Sequence, residues 1–447
     1  MRPNQFVLRF WRILVYSVSL LVCLNLAKIG PQRCAAQTRP STSVQAVRAD
    51  PYTPHLPARA YAYHRANRIL YFVGLGWRII GIVLFLRLGA STRAGRIARS
   101  LDRKLTRKRS RADAAIRDED TSVTARAPGL VEVSVFYLIY AVLMLVWMLP
   151  VSLCSLNIER TFGFSNESIG LLLKDEIMSL GVNCVIIPII WLAYWLYTHR
   201  PKSWWLILWA TLTPLILFNS IIYPVVVSPL YNRYTPLAPG SLRDRILALA
   251  TKAGIEHSRV FVENTSLRTS HVNAYVTGIG PSTRIVINDT ALRQLPDDQI
   301  LAMVGHEMGH YVEHHVLIGT AVSVVGSLGL LALLSVLLPR LALRFSRSFR
   351  FDSLNDMAAL PLVFLTLTLL NLAFQPISSA ISRTMEHRAD AYGLRLTGLH
   401  DATARLMVGF AERDLSDPDP PWLFHLWFGT HPTLLERIEF ARGSSGQ

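Results

Sequence analysis

The chain has 447 residues, of which 51% are hydrophobic and 17% are charged, and its mean hydropathy is +0.31. This composition excludes a disordered or fibrous chain, and four cysteines without a CxxC pair exclude a disulfide framework or a cysteine metal site. The net charge of +16 could indicate nucleic-acid binding. However, the sequence has no basic stripe with interleaved aromatic residues, so we expect no nucleic-acid partner.

Apolar residues are clustered in blocks long enough to cross a lipid bilayer, which predicts a mainly α-helical, polytopic membrane protein with about seven transmembrane helices. The blocks lie near residues 8–28, 70–89, 131–153, 178–198, 204–227, 316–338 and 357–377. The second block is the weakest, because it contains Arg78 and Arg87. The first block follows three arginines and could be a cleaved signal peptide, but its length favours a retained anchor.

The distribution of Lys and Arg predicts the orientation in the membrane. Residues 90–129, 198–203 and 339–351 are rich in basic side chains and would lie on one side of a seven-span protein. By the positive-inside rule that side is the cytoplasm, so the polar segment 228–314 would face the other side. We expect 90–129 to be a solvated, mobile loop. The abundance of Ala, Arg and Leu is typical of a bacterial protein and indicates the cytoplasmic membrane of a bacterium.

The polar segment 228–314 is predicted to be a small α+β unit. Residues 242–253 have helical periodicity, and 259–262 form a short strand candidate. Residues 271–277 and 284–288 alternate as strands on either side of a turn that contains Gly280 and Pro281, which indicates a β-hairpin.

A metal-binding motif follows the hairpin. Pro296 and two aspartates begin a predicted helix that continues through the sequence HEMGH at residues 306–310. Four residues is close to one helical turn, so His306 and His310 project from the same face and can bind one Zn²⁺. Glu307 lies beside them, where it can act as the general base that deprotonates the attacking water. Gly305 and Gly309 would let another helix approach this face closely.

The third ligand separates the classes of zinc hydrolase. The extended motif HExxHxxGxxH is excluded, because Glu313 and Val316 occupy its Gly and last His positions. We interpret His314 and His315 as ordinary polar residues at the start of the next span. Glu386 is the better candidate, since its helix is expected to continue from the seventh span and a carboxylate would leave the fourth metal position open.

Asp390 lies one turn after Glu386 and is predicted to accept a hydrogen bond from the second ring nitrogen of a ligand histidine. The alternative is a surface ion pair with Arg388 or Arg395. Together these motifs divide the chain into five segments. They are residues 1–69 (N-terminal anchor or signal and a loop), 70–227 (transmembrane helices with the basic loop), 228–314 (catalytic unit), 315–377 (transmembrane hairpin) and 378–447 (third-ligand helix and C-terminal part of the catalytic unit).

Several motifs taken together resemble the integral-membrane zinc metallopeptidases known as CAAX prenyl endopeptidases of the a-factor-converting type. They are ERTFGFS (159–165), YNRYTPL (231–237), SHVNAY (270–275), RIV (284–286), HEMGH (306–310), EHRAD (386–390) and THP (430–432). The resemblance extends over about residues 130–440 and implies a gluzincin-type α+β metalloprotease unit.

By this resemblance, one zinc ion would be bound by His306, His310 and Glu386, with Glu307 as the general base. The resemblance further implies that Asn273 and His431 contact the substrate or stabilise the oxyanion, with Arg437 in support. An edge strand at residues 272–277 would bind an extended peptide or protein substrate through main-chain hydrogen bonds. The family is also understood to enclose a water-filled chamber between its helices.

The sequence therefore predicts an integral-membrane zinc metalloendopeptidase, for which the family implies CAAX prenyl endopeptidase-like activity. Because bacteria generally lack prenylated CAAX proteins of their own, a broader membrane-protein or peptide quality-control protease is the alternative. A non-catalytic scaffold with a structural zinc ion is less favoured, since structural sites usually have four protein ligands and only three are found here. Charges within the spans are too few to suggest an ion pathway. The sequence indicates no particular oligomeric state.

Overall fold

A computed structural model describes residues 50–113, 127–222, 227–256, 258–278 and 283–443. The first predicted span, near residues 8–28, and the choice between anchor and signal lie outside this part of the chain.

The membrane part of the described chain is built from seven apolar helices and one basic helix, α2. These are α1 (Ala58–Arg87), α2 (Ala90–Asp113), α3 (Leu130–Thr161), α4 (Ile169–Asn183), α5 (Ile186–His199), α6 (Trp204–Ile222), α11 (His315–Phe349) and α12 (Leu360–Thr397). Five stretches are long and apolar enough to cross a membrane: Ala58–Arg87, Leu130–Thr161, Ile169–His199, His315–Phe349 and Met357–Thr397. A shorter apolar helix covers Trp204–Phe218. The fold class of a mainly α-helical, polytopic membrane protein is thus confirmed. Each of the six predicted runs from residue 70 onward overlaps one or two of these helices, and the predicted total of seven spans stays a prediction.

The prediction of a mobile loop at residues 90–129 is wrong for its first part, because Ala90–Asp113 forms helix α2. Ala94 and Ala98 lie one turn apart and are buried against Val133 and Phe136 of α3. Small side chains at this spacing let the two helices pack closely, while the neighbouring Arg93 and Arg96 are exposed. Arg99 is the exception, since it pairs with Asp356 at 3.2 Å. High charge alone therefore does not define a loop.

A four-stranded sheet forms the centre of the polar unit. Its strands are β1 (Tyr234–Pro236), β2 (Arg259–Glu263), β3 (Ala274–Thr277) and β4 (Arg284–Asn288), in the order β1-β2-β4-β3. Strands β3 and β4 are antiparallel, with Tyr275 opposite Val286, which confirms the hairpin. Because β3 lies at the end of the sheet, one of its edges has no partner strand within the described chain. This agrees with the edge strand predicted from the sequence.

The helices that pack around this sheet are mostly short. They are α7 (Ser228–Tyr231), α8 (Ser241–Lys252), α9 (Asp289–Gln294), α10 (Asp297–Val312), α13 (His400–Glu412), α14 (Trp422–Phe428) and α15 (Leu434–Gly443). Helix α10 begins after Pro296 and has two aspartates in its first turn, where they interact favourably with the helix dipole. Its apolar residues Ile300, Val304 and Met308 recur at helical spacing and are buried against the sheet. The opposite face of α10 is left for the histidines.

Helices α10 and α12 approach each other at backbone contact distance. A Cβ atom on Gly309 would lie 2.9 Å from the carbonyl oxygen of Ala389, and one on Gly393 would lie 2.9 Å from the backbone nitrogen of His306. Such distances leave no room for a side chain, which confirms the prediction that glycines on α10 permit a close helix contact. The crossing brings the motif at 306–310 next to the third-ligand helix.

A second connection joins the membrane helices to the strand β3. The ring of His271 is stacked on Phe164 with the ring centroids 4.4 Å apart, and its nitrogens lie 3.4 Å from Asp414 and 3.7 Å from Glu159. The nearby carboxylates of Asp414 and then of Glu159 raise the pKa of His271 to about 9, against the effect of burial. Since Glu159 belongs to α3 and His271 lies three residues before β3, this contact fixes the edge strand relative to the membrane helices.

This contact predicts a pH dependence of stability. The folded-state pKa of His271 lies above its unfolded value, so its stabilisation is complete below pH ~6.5 and is lost as the pH rises through about 9. Between pH 7 and 10 we expect the free energy of unfolding to fall by about 1 kcal/mol more in the wild type than in His271→Gln, after allowance for partial solvent exposure. Denaturant unfolding of the detergent-purified protein at several pH values measures this. Equal losses in both proteins would contradict the assignment.

Candidate active site

The side chains of His306, His310 and Glu386 converge between α10 and α12. The Nε2 atoms of the two histidines are 3.1 Å apart. The carboxylate of Glu386 places Oε2 3.3 Å from His306 Nε2 and Oε1 3.4 Å from His310 Nε2. These three residues form the group that could hold a metal ion within the described chain.

The donor groups lie close enough together to surround one metal ion, with one ligand atom of each residue within 4.8 Å of the others. Bond lengths of about 2.0–2.1 Å and a tetrahedral angle put neighbouring ligand atoms about 3.3 Å apart. The two histidine nitrogens are 3.1 Å apart, and each lies 3.3–3.4 Å from a different oxygen of the Glu386 carboxylate, which is close to this value. Glu386 Oε2 is buried and makes no hydrogen bond in the described structure, although two histidine nitrogens lie 3.3 Å from it. A buried carboxylate oxygen of this kind fits a bound cation.

Asp390 holds the ring of His306 from the opposite side. Its Oδ1 lies 2.8 Å from His306 Nδ1, and Arg437 donates to both of its carboxylate oxygens at 2.7 and 2.8 Å. This is the geometry predicted for a group that orients a ligand histidine. The alternative surface pair is wrong, since Arg388 pairs with Glu313 instead. Arg437 lies on α15, more than 40 residues further along the chain, and its guanidinium is also 3.5 Å from His306 Nδ1.

Glu307 is half-buried beside the two histidines and lines a cavity of about 130 Å³. Burial raises the pKa of Glu307 above its ordinary value, while the neighbouring His306 and His310 oppose that shift. Asn273 and His431 line the same cavity. The cavity is large enough for a few small groups such as a water molecule and a peptide carbonyl.

Asn273 lies immediately before β3 and faces the cavity from the edge-strand side. Its side-chain oxygen accepts a hydrogen bond from the backbone N–H of Ala274 at 3.0 Å, and its own carbonyl accepts one from Asn288 N–H at 3.0 Å. The residue itself is exposed. These bonds fix the backbone at the point where the strand meets the cavity.

His431 approaches from the loop before α15. Its Nε2 lies 3.3 Å from Glu386 Oε2, its Nδ1 lies 3.0 Å from Thr430 Oγ1, and its side chain is half exposed. The carbonyl of His431 is 2.8 Å from a ring nitrogen of His425. These contacts hold the imidazole beside Glu386, where it lines the same cavity as Asn273.

His315 contacts a metal-ligand candidate and is buried, so its interpretation as an ordinary polar residue is wrong. His314 is exposed, as expected of an ordinary polar residue, but His315 is 4% exposed and its Nδ1 lies 3.0 Å from Nδ1 of His310. The five-residue spacing from His310 was visible in the sequence. The turn that folds His315 back was not, because nothing in the residue pattern marks a left-handed backbone at a histidine.

A bundle of membrane-length helices that carries an HExxH helix and a glutamate on a second helix defines a membrane metalloprotease. The sequence matches two family models: "Peptidase family M48" over residues 236–445 and "CAAX prenyl protease N-terminal, five membrane helices" over residues 37–233. The chain belongs to peptidase family M48 and is a zinc metallopeptidase of the Ste24 type.

Relatives from several kingdoms support this assignment. The chain is 39% identical to the uncharacterized metalloprotease YhfN of Bacillus subtilis, over 66% of this chain and 69% of the relative. It is 32% identical to a CAAX prenyl protease 1 homologue of Arabidopsis thaliana (66% and 70%) and 31% identical to CAAX prenyl protease 1 of Saccharomyces cerevisiae (63% and 65%). The crystal structure of Saccharomyces mikatae Ste24p has the same fold, with a TM-score of 0.72, 24% sequence identity and 99% of each chain covered. The protein is therefore an integral, multi-pass membrane protein and a metalloprotease.

Proposed function

We propose that the protein is a zinc metalloendopeptidase in which Glu307 is the general base and His306, His310 and Glu386 hold one zinc ion. The observation that carries this proposal is the convergence of two imidazole nitrogens and a carboxylate, 3.1–3.4 Å apart, next to the half-buried Glu307. When bound, the metal acts as a Lewis acid that polarises the scissile carbonyl and makes a water molecule acidic enough to be deprotonated near neutral pH.

The protein groups around the cavity have complementary tasks in this mechanism. The carboxylate of Glu307 takes the proton from the attacking water and delivers it to the leaving amine. Asn273 and the imidazole N–H of His431 donate hydrogen bonds to the carbonyl oxygen as negative charge develops on it. Asp390, fixed by Arg437, keeps the ring of His306 in one orientation.

Strand β3 is proposed to present the substrate. Its free edge begins directly after Asn273, so an extended peptide that pairs with Ala274–Thr277 would pass over the cavity. The named relatives are the ground on which we propose CAAX prenyl endopeptidase-like activity. Main-chain pairing gives affinity without strict side-chain selection, which fits the alternative of a broader membrane-protein or peptide quality-control protease.

The orientation in the membrane remains the one proposed from the sequence. The metal-ligand candidates lie next to the first residue of α11, whereas Arg340, Arg344 and Arg347 are exposed near its last turns. A helix of 35 residues is about 50 Å long, so these two ends lie on opposite sides of a bilayer. By the positive-inside rule, the cleavage site would face away from the cytoplasm of a bacterial membrane.

The decisive experiment is cleavage of quenched fluorescent peptides by the detergent-purified protein. Farnesylated CAAX peptides and unmodified peptides of the same sequence are compared, and the same substrates are added to sealed right-side-out vesicles. We expect zinc-dependent cleavage, with access from the outer face of the vesicles. Cleavage of prenylated peptides alone supports the CAAX activity, and cleavage of both supports the broader protease. No cleavage by the zinc-loaded protein would favour the non-catalytic scaffold.

A further inference from the structure

His315 is a buried side chain to which neither the motifs nor the mechanism above gives a task. Its ring is packed against that of His310, with the ring centroids 5.0 Å apart and the planes tilted by 74°. The two Nδ1 atoms face each other at 3.0 Å, which is a hydrogen-bond distance. On its other side, His310 directs Nε2 toward His306 and Glu386. His310 thus lies between the donor group and His315.

These contacts determine where the protons lie when His310 is a ligand. A neutral histidine that gives its Nε2 lone pair to a metal carries its proton on Nδ1. That proton points at His315 Nδ1, which must accept it and must therefore hold its own proton on Nε2. The Nε2 atom of His315 is buried and has no hydrogen-bond partner among the described residues. The reverse arrangement would put a proton on His310 Nε2 and block coordination.

The backbone between the two helices brings His315 into this position. His314 has a φ of 56°, in the left-handed region that few non-glycine residues adopt and in which Asn, Asp and His are the most frequent of them. This sharp turn between Val312, where α10 ends, and the first residue of α11 folds the chain back over His310. Because His315 begins the 35-residue helix α11, the orientation of His310 is coupled directly to a membrane helix.

The two histidines of the motif thus have different partners. His306 is oriented by a carboxylate, which Arg437 holds in place. His310 faces a second imidazole, and no carboxylate within the described chain lies within ion-pair distance of its Nδ1. A buried nitrogen without a hydrogen-bond partner, such as Nε2 of His315 in the described structure, lowers the stability of the fold and calls for an explanation.

We propose that His315 is a positioning residue, which accepts the Nδ1 proton of His310 and so holds that ring in the tautomer that binds zinc. This inference rests on the proposed zinc site and adds to it the group that selects the tautomer of its second histidine. Outer-shell partners of metal-ligand histidines commonly contribute about 10- to 100-fold to metal affinity.

The test compares two substitutions of His315, one that keeps a hydrogen-bond acceptor and one that removes it. In His315→Asn, the side-chain oxygen takes about the place of Nδ1 and still accepts a hydrogen bond, whereas His315→Leu has a similar size but no acceptor. The matched control is His314→Asn, at the exposed neighbouring histidine, where Asn tolerates the left-handed backbone. The zinc dissociation constant of each purified protein is measured by chelator competition, and the unfolding temperature of each metal-free protein is measured separately.

We expect His315→Leu to bind zinc about 10- to 100-fold more weakly, with His315→Asn and His314→Asn close to the wild type. Rescue by Asn distinguishes positioning from a packing role, because packing would be disturbed by both substitutions and would lower the unfolding temperature of the metal-free protein. If His315→Leu does not fold, His315→Met serves as the variant without a nitrogen or oxygen acceptor, since its flexible chain fills irregular space.

Equal zinc affinity in His315→Leu and the wild type, or equal loss in the Leu and Asn variants, overturns the inference. Two further variants separate this failure from failure of the proposed zinc site. If His306→Ala and Glu386→Gln also bind zinc like the wild type, the site itself is wrong. If these two lose zinc while His315→Leu retains it, only the role of His315 is wrong.

Discussion

Glu307→Gln is expected to lower kcat by about 10²- to 10⁴-fold while zinc remains bound with unchanged affinity. Gln has the same size as Glu but cannot take a proton from the attacking water. Glu307 lines the cavity together with His306, whereas the oxygens close to the nitrogens of both ligand histidines belong to Glu386. Loss of turnover without loss of metal is therefore the pattern that distinguishes a general base from a ligand.

The measurement combines cleavage of a fluorescent peptide with determination of bound zinc in the same preparation. Glu313→Gln is the matched control, because Glu313 follows the same helix, is half-buried and pairs with Arg388 away from the cavity. We expect this control to retain activity. Normal activity in Glu307→Gln would show that the assigned general base is wrong.

Glu386→Gln is expected to weaken zinc binding by more than ~100-fold, because a direct ligand should contribute more than the outer-shell groups do. Replacing the carboxylate by an amide removes the negative charge that lies 3.3–3.4 Å from the histidine nitrogens. Since a ligand that binds only the folded state stabilises it, zinc should raise the unfolding temperature of the wild type but not of this variant.

Thermal unfolding with and without added zinc, after treatment with a chelator, measures this effect. The control is Glu439→Gln, an exposed glutamate on α15, which should respond to zinc as the wild type does. If zinc stabilised Glu386→Gln as much as the wild type, the third ligand would have to be sought elsewhere.

Much of the fold follows from residue periodicity alone. Apolar runs of membrane length predicted six helices that the described structure contains, and alternation on either side of a turn predicted β3 and β4. Within one helix, a spacing of four residues is enough to place His306 and His310 on one face. In each of these cases the spacing of residues within one helix or strand is sufficient, and this spacing can be read directly from the sequence.

The basic segment 90–113 shows where this approach fails. Its charge density suggested a solvated loop, but Ala94 and Ala98 are buried against α3. Whether such a segment is helical depends on a partner surface that lies about 40 residues further along the chain. Amino-acid composition alone cannot predict this contact between α2 and α3.

The sequence by itself determined the class of the protein, a membrane metalloprotease. It did so through apolar runs of membrane length and through the motif at residues 306–310, whose two histidines lie one helical turn apart with Glu307 between them. What only the tertiary structure decided is how that motif is supported. Asp390 reaches His306 across 84 positions of sequence, Arg437 reaches Asp390 across 47, and the turn at His314 brings His315 onto His310. The physical reason is that helix spacing is set by local backbone geometry, whereas contacts between elements depend on how closely their surfaces pack, here through glycines at the crossing of α10 and α12.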